Sequence, residues 1–351
     1  MTTKDARVLV EPRGLRGRLA THSTVSYLMR RFVQYVFTMW AAFSATFFFF
    51  RLIPGDPMSQ YLSLMQSSPG GQAVVEHYKN VFDLNGSLFQ QYLAYMYQLV
   101  IEHNMGPSFL NYPTPALELV AQYVPWTVGL LGLSALIAWF GGILLGALAG
   151  WRRESSISWA LTYCALAISN IPFFFVAAIL VFVFAIDINL LPMDYPYGPG
   201  LVIGINLPFI RSVLYHAIIP GFSLVLVAMF GNFLGMRQQM ITVLGEDYMT
   251  LATAKGLRPW RILRRYGMPN CYLPQITGLM VNLGFIFGGN MILEQFYLYP
   301  GVGHLLALAL KELDFNTLMA ITDVVIFMVL TAVFLIDLAL PLLDPRIKSS
   351  R

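Results

Sequence analysis

The stretch Phe32–Phe50, FVQYVFTMWAAFSATFFFF, runs for nineteen residues without a charge. A helix of about 20 apolar residues is long enough to cross the hydrocarbon core of a bilayer. Five further runs have that character: Trp126–Gly150, Ile157–Ile186, Val213–Met236, about Gln275–Leu293 and about Leu318–Leu343. The last contains interior acids, Asp323 and Asp337. A spanning barrel would instead show alternating strands of about ten residues. The expected fold class is therefore an all-α membrane protein with six transmembrane helices.

The composition agrees. Hydrophobic residues make up 57% of the 351 and charged residues 11%, against roughly 25% charged in soluble domains. Phe32–Phe50 is longer than a signal-peptide core, and Arg51-Leu52-Ile53-Pro54 follows it in place of a small-residue cleavage site. It reads as a retained first span. Cys164 and Cys271 show no metal-ligand spacing and no expected disulfide.

The basic balance does not point to nucleic acid, because Lys and Arg lie in discrete patches between apolar runs. With the N-terminus inside, 18 of the 22 fall in cytoplasmic segments and 4 in the others. Positive charge marks the cytoplasmic side, so both termini are expected there. Residues 1–31 read as a basic cytoplasmic tail, 32–346 as the transmembrane domain and 347–351 as a second tail. Residues 51–125 form an extracytoplasmic segment. Within it Ser67–Gly71 marks a turn. Leu88–Ile101 reads as an amphipathic helix on the membrane or on the outer face of the protein. Ala116–Tyr123 reads as a separate short helix.

Residues 237–274 form the largest cytoplasmic loop. Glu246 and Asp247 precede a short helical run, which suits the helix dipole. Gly256 is placed to stop that helix in a left-handed conformation. Pro259 then starts a second short helix, where its missing N–H costs nothing, and basic residues fill its end. Such a helix suits docking on a soluble partner. A solvated basic loop beside anionic lipid fits the same residues.

Asp247-Tyr248, Ala252-Thr253-Ala254-Lys255-Gly256-Leu257, Pro269-Asn270 and Leu273-Pro274 resemble the EAA loop of binding-protein-dependent ABC permeases, closest to the dipeptide/oligopeptide/nickel branch. That branch also shows stretches like Arg51–Pro57 after the first span, Tyr299–Gly303 after the fifth, and Leu343-Asp344-Pro345-Arg346 at the end. The sequence departs from the general consensus at Thr250, where the namesake Glu stands, and at Leu251, where the first Ala stands. The resemblance implies an importer permease in a bacterial or archaeal inner membrane. Its implied partners are a second homologous permease, two ATPases holding ATP and magnesium, and an extracytoplasmic binding protein. It implies that the EAA loop couples the chain to the ATPases, through Asp247, Ala252, Ala254, Gly256, Leu257, Pro259, Trp260 and Ile262. The chain has no G-x-x-x-x-G-K-[ST] stretch with which to hold ATP itself. Peptides are the expected cargo, with oligosaccharides or a nickel complex as related choices.

Polar groups inside spans are candidates for a pathway wall: Ser169, Asn170, Asn232, Asn282 and Asn290, with Glu294 where the fifth span emerges. Hydrogen bonding between helices accounts for such residues equally well. Glu294 is placed to line an outer gate or to pair with Lys311. Pro172 is expected to kink the third span and free carbonyls for Ser169 or Asn170. An ion-coupled secondary transporter is the alternative, but it calls for charges near the midplane, and no span has an acid at its centre. A membrane enzyme calls for clustered nucleophile or acid–base residues, and five scattered histidines do not supply them.

The charge split sets an orientation test. Single cysteines at Ser68 and Tyr197 are expected to react with an impermeant thiol reagent in intact cells, and one at Ser349 is not. Labelling at Ser349 would reverse the topology.

Overall fold

A computed structural model describes residues 13–52 and 87–343, with side chains for 27–52, 87–272 and 274–338. The Ser67–Gly71 turn, most of Arg51–Pro57 and the segment after Leu343 lie outside the described residues. Among the described residues there is no strand, only an isolated bridge between Pro107 and Pro115. The helices are α1 (Arg13–Leu52), α2 (Leu88–Tyr97), α3 (Ala116–Trp151), α4 (Ser156–Ser169), α5 (Phe173–Asp187), α6 (Leu207–His216), α7 (Ile218–Leu244), α8 (Asp247–Ala254), α9 (Pro259–Ile262), α10 (Met268–Ile286), α11 (Met291–Phe296), α12 (Val302–Glu312) and α13 (Phe315–Leu343).

Among the described residues, four helical stretches are long and apolar enough to cross a membrane: Tyr27–Leu52, Ala116–Trp151, Ile218–Leu244 and Phe315–Leu338. The pair α4 and α5 makes a fifth if it counts as one span, but the two are bent by 94°. The bend falls at Asn170–Pro172. Pro172 lacks the N–H that would bond Ile168 O and continue α4, and Asn170 Nδ2 donates to Leu166 O at 2.6 Å. The expected kink is therefore close to a right angle.

Several boundaries differ from the sequence reading. The first helix begins at Arg13 rather than Phe32, so the basic segment is continuous with the span. Ala116–Tyr123 is not a separate helix: it is the first part of α3, whose 36 residues span about 54 Å. Pro125 sits inside this helix, and a wider π-helical turn over Val128–Gly132 follows and absorbs the irregularity. The fourth span starts at Ile218, because Asn206 caps a distinct helix, α6, through Phe209 N at 2.9 Å. It then runs on to Leu244, so the segment between α7 and α10 is 245–267, shorter than the expected cytoplasmic loop 237–274. The fifth run breaks after Ile286, and α11 is a separate helix.

The closest helix contact joins α3 to α7. Gly142, Gly146 and Gly150 recur every fourth residue and share one face. A Cβ at Gly142 would lie 2.5 Å from Met229 O, and one at Gly146 would lie 2.5 Å from Phe233 O. One at Gly150 would lie 2.7 Å from Met240 Cβ. Within a membrane such close packing, not solvent exclusion, is what holds helices together. On the far side α10 meets α13, where a Cβ at Gly284 would lie 2.8 Å from Val329 Cα. Helix α13 also packs on α1: Tyr35 hydroxyl bonds Thr331 Oγ1 at 2.9 Å, and Arg31 pairs with Asp337 at 3.2 Å.

Two buried acids tie the 108–110 turn and α2 to this frame. Asp314 Oδ2 accepts Ser108 Oγ at 2.6 Å, Phe109 N at 2.8 Å and Leu110 N at 3.1 Å, while Oδ1 accepts Thr317 N at 3.1 Å and so caps α13. Asp323, inside α13, accepts the hydroxyl of Tyr95 from α2. Helix α2 therefore packs one face on the protein, with Phe89, Leu93 and Tyr97 exposed on the other.

Gly146→Ala and Gly231→Ala separate packing from propensity. Alanine favours a helix by about 1 kcal/mol, and a Cβ at Gly231 meets nothing within 4 Å. Gly231→Ala is expected to leave the melting temperature in detergent unchanged or raised. Gly146→Ala is expected to lower it, with a cost of about 1–3 kcal/mol. Equal melting of the two proteins would remove the α3–α7 contact as a stability determinant.

Candidate coupling and translocation surfaces

At the C-terminal end of α7 the chain turns at Gly245, and Asp247 lies in the first turn of α8. Gly256 has φ +68° with open space around it, so a side chain there meets backbone strain but no neighbour. Pro259 opens α9 at its first position. A π-helical turn over Leu263–Gly267 then runs directly into α10.

The segment has two faces. Met249, Ala252, Ile262 and Leu263 are buried against Ile143, Met236, Met240 and Val243. This corrects the reading of Ile262, which is 3% exposed and anchors the segment instead of meeting a partner. Ala252 also faces inward. The outward face carries Trp260, 62% exposed, and Leu251, 56% exposed. Asp247, Ala254, Gly256, Pro259 and the side chains of Lys255, Arg258, Arg261, Arg264 and Arg265 are exposed beside them, and Leu257 is half-buried. The result is an apolar-centred, basic-rimmed surface on a rigid backing.

At the opposite end, Asn290 and Glu294 turn out to be helix caps. Asn290 Oδ1 accepts Leu293 N at 3.2 Å and starts α11. The Glu294 carboxylate is fully buried. It accepts Thr127 Oγ1 at 2.9 Å, Asn290 N at 3.3 Å and His304 N at 3.0 Å. Thr127 Oγ1 in turn accepts Val302 N at 2.7 Å. Two side chains from elsewhere thus cap α12, whose own N-cap is Gly301. Glycine is required there because a Cβ at Gly301 would lie 2.4 Å from Glu294 Cδ. Burial raises the Glu294 pKa, while the donors from His304, Asn290 and Thr127 hold it down in part. Burial also pushes Tyr299 up to about 12 and lowers His304. Glu294 does not pair with Lys311, whose Nζ lies 4.0 Å from Glu312.

The other candidates fall in two places. Ser169 and Asn170 lie at the α4–α5 bend. Asn232 of α7 and Asn282 of α10 are on helices that pack together, with Gly231, Gly235 and Gly278 exposed on the same pair. A cleft of about 770 Å³ opens between α3, α6 and α7, lined by Trp126, Phe209, Phe222 and Tyr299 with Gln122 and Ser134. The sequence reading missed this cleft, which depends on α6 being a separate helix. It also missed Thr127 and Asp314. Asp314 had a signal, because an Asp three residues before Thr317 at a helix start is a capping pattern.

Comparison with known proteins follows this geometry. Residues 142–349 match the family described as binding-protein-dependent transport system inner membrane component. The oligopeptide transport system permease protein of Bacillus subtilis (strain 168) is 29% identical over 324 residues, covering 92% of this chain and 99% of the relative. The dipeptide transport system permease protein of the same organism is 27% identical over 322 residues, with 92% and 97% covered. The probable D,D-dipeptide transport system permease protein of Escherichia coli (strain K12) is 28% identical over 316 residues, with 86% and 91% covered. The matched region includes α7, the cytoplasmic segment and the Glu294-capped α12, and the chain belongs to the binding-protein-dependent transport system inner membrane component family as a permease subunit of an ABC transporter.

Proposed function

We propose that this permease subunit moves peptides into the cytoplasm, driven by partner ATPases that dock on residues 245–267. The two-faced build of that segment carries the reading. Its buried face is fixed to α3 and α7 through Ile262, Leu263, Met249 and Ala252. Its outer face offers Trp260 and Leu251 within a basic rim. Aromatic and Arg side chains are the usual anchors of protein interfaces. Peptide cargo is supported by the names of the relatives.

In this reading a second permease chain completes the pathway, and Asn232 and Asn282 contribute to its wall. Two ATPases hold ATP and magnesium, and a binding protein delivers cargo from the other side. Counting α4–α5 as one span and adding α10 gives six spans with both termini in the cytoplasm. The ion-coupled alternative has no such support: Glu294, Asp314 and Asp323 each accept hydrogen bonds from the protein around them.

The test compares Gly256→Val with the pair Arg258→Gln, Arg261→Gln. A β-branched residue at φ +68° costs on the order of 1 kcal/mol or more, too little to unfold a helical bundle. Gly256→Val is expected to reach the membrane at near-normal amounts, to lose ATPase co-purification and to lose peptide uptake. Normal uptake by Gly256→Val, with failed insertion of the charge-neutral pair, would make the segment a lipid anchor.

A further inference from the structure

The connection between α5 and α7 holds an aliphatic surface that the transport reading does not use. Val202 is 79% exposed, Ile205 101% and Leu207 79%. Ile203, Ile210 and Leu214 are exposed beside them. Residues 195–210 contain no charge at all.

This exposure is built, not slack. Asn206 uses both ends of its amide: Nδ2 donates to Val202 O at 3.0 Å, and Oδ1 accepts Phe209 N at 2.9 Å. One side chain therefore closes the turn and caps α6. Gly198 N donates to Ser212 Oγ at 2.8 Å, and Tyr195 N donates to Tyr297 O at 2.9 Å. These bonds hold the turn against α6 and α11 with its aliphatic side chains outward. On α6, Phe209 and Val213 face the cleft. Leu207 and Ile210 lie beside that face with exposed Arg211 among them, and Leu214, which also borders the cleft, is exposed as well.

We infer that the turn 201–207 and the outer face of α6 form an anchor that dips into the outer leaflet of the bilayer. The location fits. Helix α6 is separated by Ala217 alone from α7, at the end of α7 opposite the 245–267 segment. Ile218 and Phe222, at the cleft edge in the first turns of that span, are exposed and apolar as well. The chemistry fits too. The tip is wholly aliphatic, and Asn206 spends its polar atoms internally. A protein partner would call for aromatic or Arg anchors and about one hydrogen bond per 100–200 Å². Hydrocarbon calls for none. Arg211 carries a long stem and can extend its guanidinium to lipid phosphates while the stem stays in the apolar layer.

The test places nitroxide labels at Ile205→Cys and Leu207→Cys in the complete transporter in nanodiscs of phosphatidylethanolamine and phosphatidylglycerol. The exposed Cys164 is first replaced by Ser, and assembly is checked by co-purification of the ATPases. The anchor predicts collisions with oxygen several-fold above those with a water-soluble nickel chelate at both sites. Free access of the chelate would put the turn in water and overturn the inference. Low collision with both reagents would show that a protein, either the paired permease or the binding protein, covers the face, and would overturn it equally.

Discussion

The backbone contact between α3 and α7 at Gly142, Gly146 and Gly150 is the constraint on which the rest of the arrangement depends. Two helices that touch main chain to main chain have one register, because each missing Cβ is a slot for a particular neighbour. At the cytoplasmic end this register sets Met236, Met240 and Val243 of α7 beside Ile143 and Ala147 of α3. Those side chains are the bed of the cytoplasmic segment. At the other end α3 departs from α7 after the Pro125 irregularity, and the gap becomes the aromatic cleft.

Polar side chains fasten what the glycines cannot reach. Glu294, Asp314 and Asp323 are buried, and each collects donors from a different element: α12, the 108–110 turn and α2. A hydrogen bond to a charged group is stronger where water is absent, and an unmet one is more costly. Acids placed in this way specify which loop sits where.

The all-helical fold and most of the spans were legible because a charge-free run of spanning length has few other uses. The local build of the cytoplasmic segment was legible for a similar reason: Gly256 and Pro259 each admit few backbone geometries. Periodicity failed where two helices abut without a polar break. Val213–Met236 reads as one apolar run, yet the turn at Ala217 divides it between α6 and α7. The pathway candidates Asn290 and Glu294 misled because a polar residue at a span end serves a pathway or a cap equally well. For Glu294 only the three-dimensional approach of Thr127, remote in sequence, brings out the cap. Ile262 was misread because a helix of four residues gives no period from which to tell inner from outer.

No loop separates α9 from α10. The chain is helical from Pro259 to Ile286, with the π-helical turn and Pro274 as its irregularities, a length of about 42 Å. This run acts as a lever arm across the bilayer. A tilt of one degree at its cytoplasmic end displaces the far end by roughly 0.7 Å over that length. The far end is the Phe287–Gly289 break, where a Cβ on Gly289 would lie 2.2 Å from Gly303 N. A joint with so little clearance has no play to absorb such a displacement. A rotation of this run at Pro259 would therefore be felt at α12.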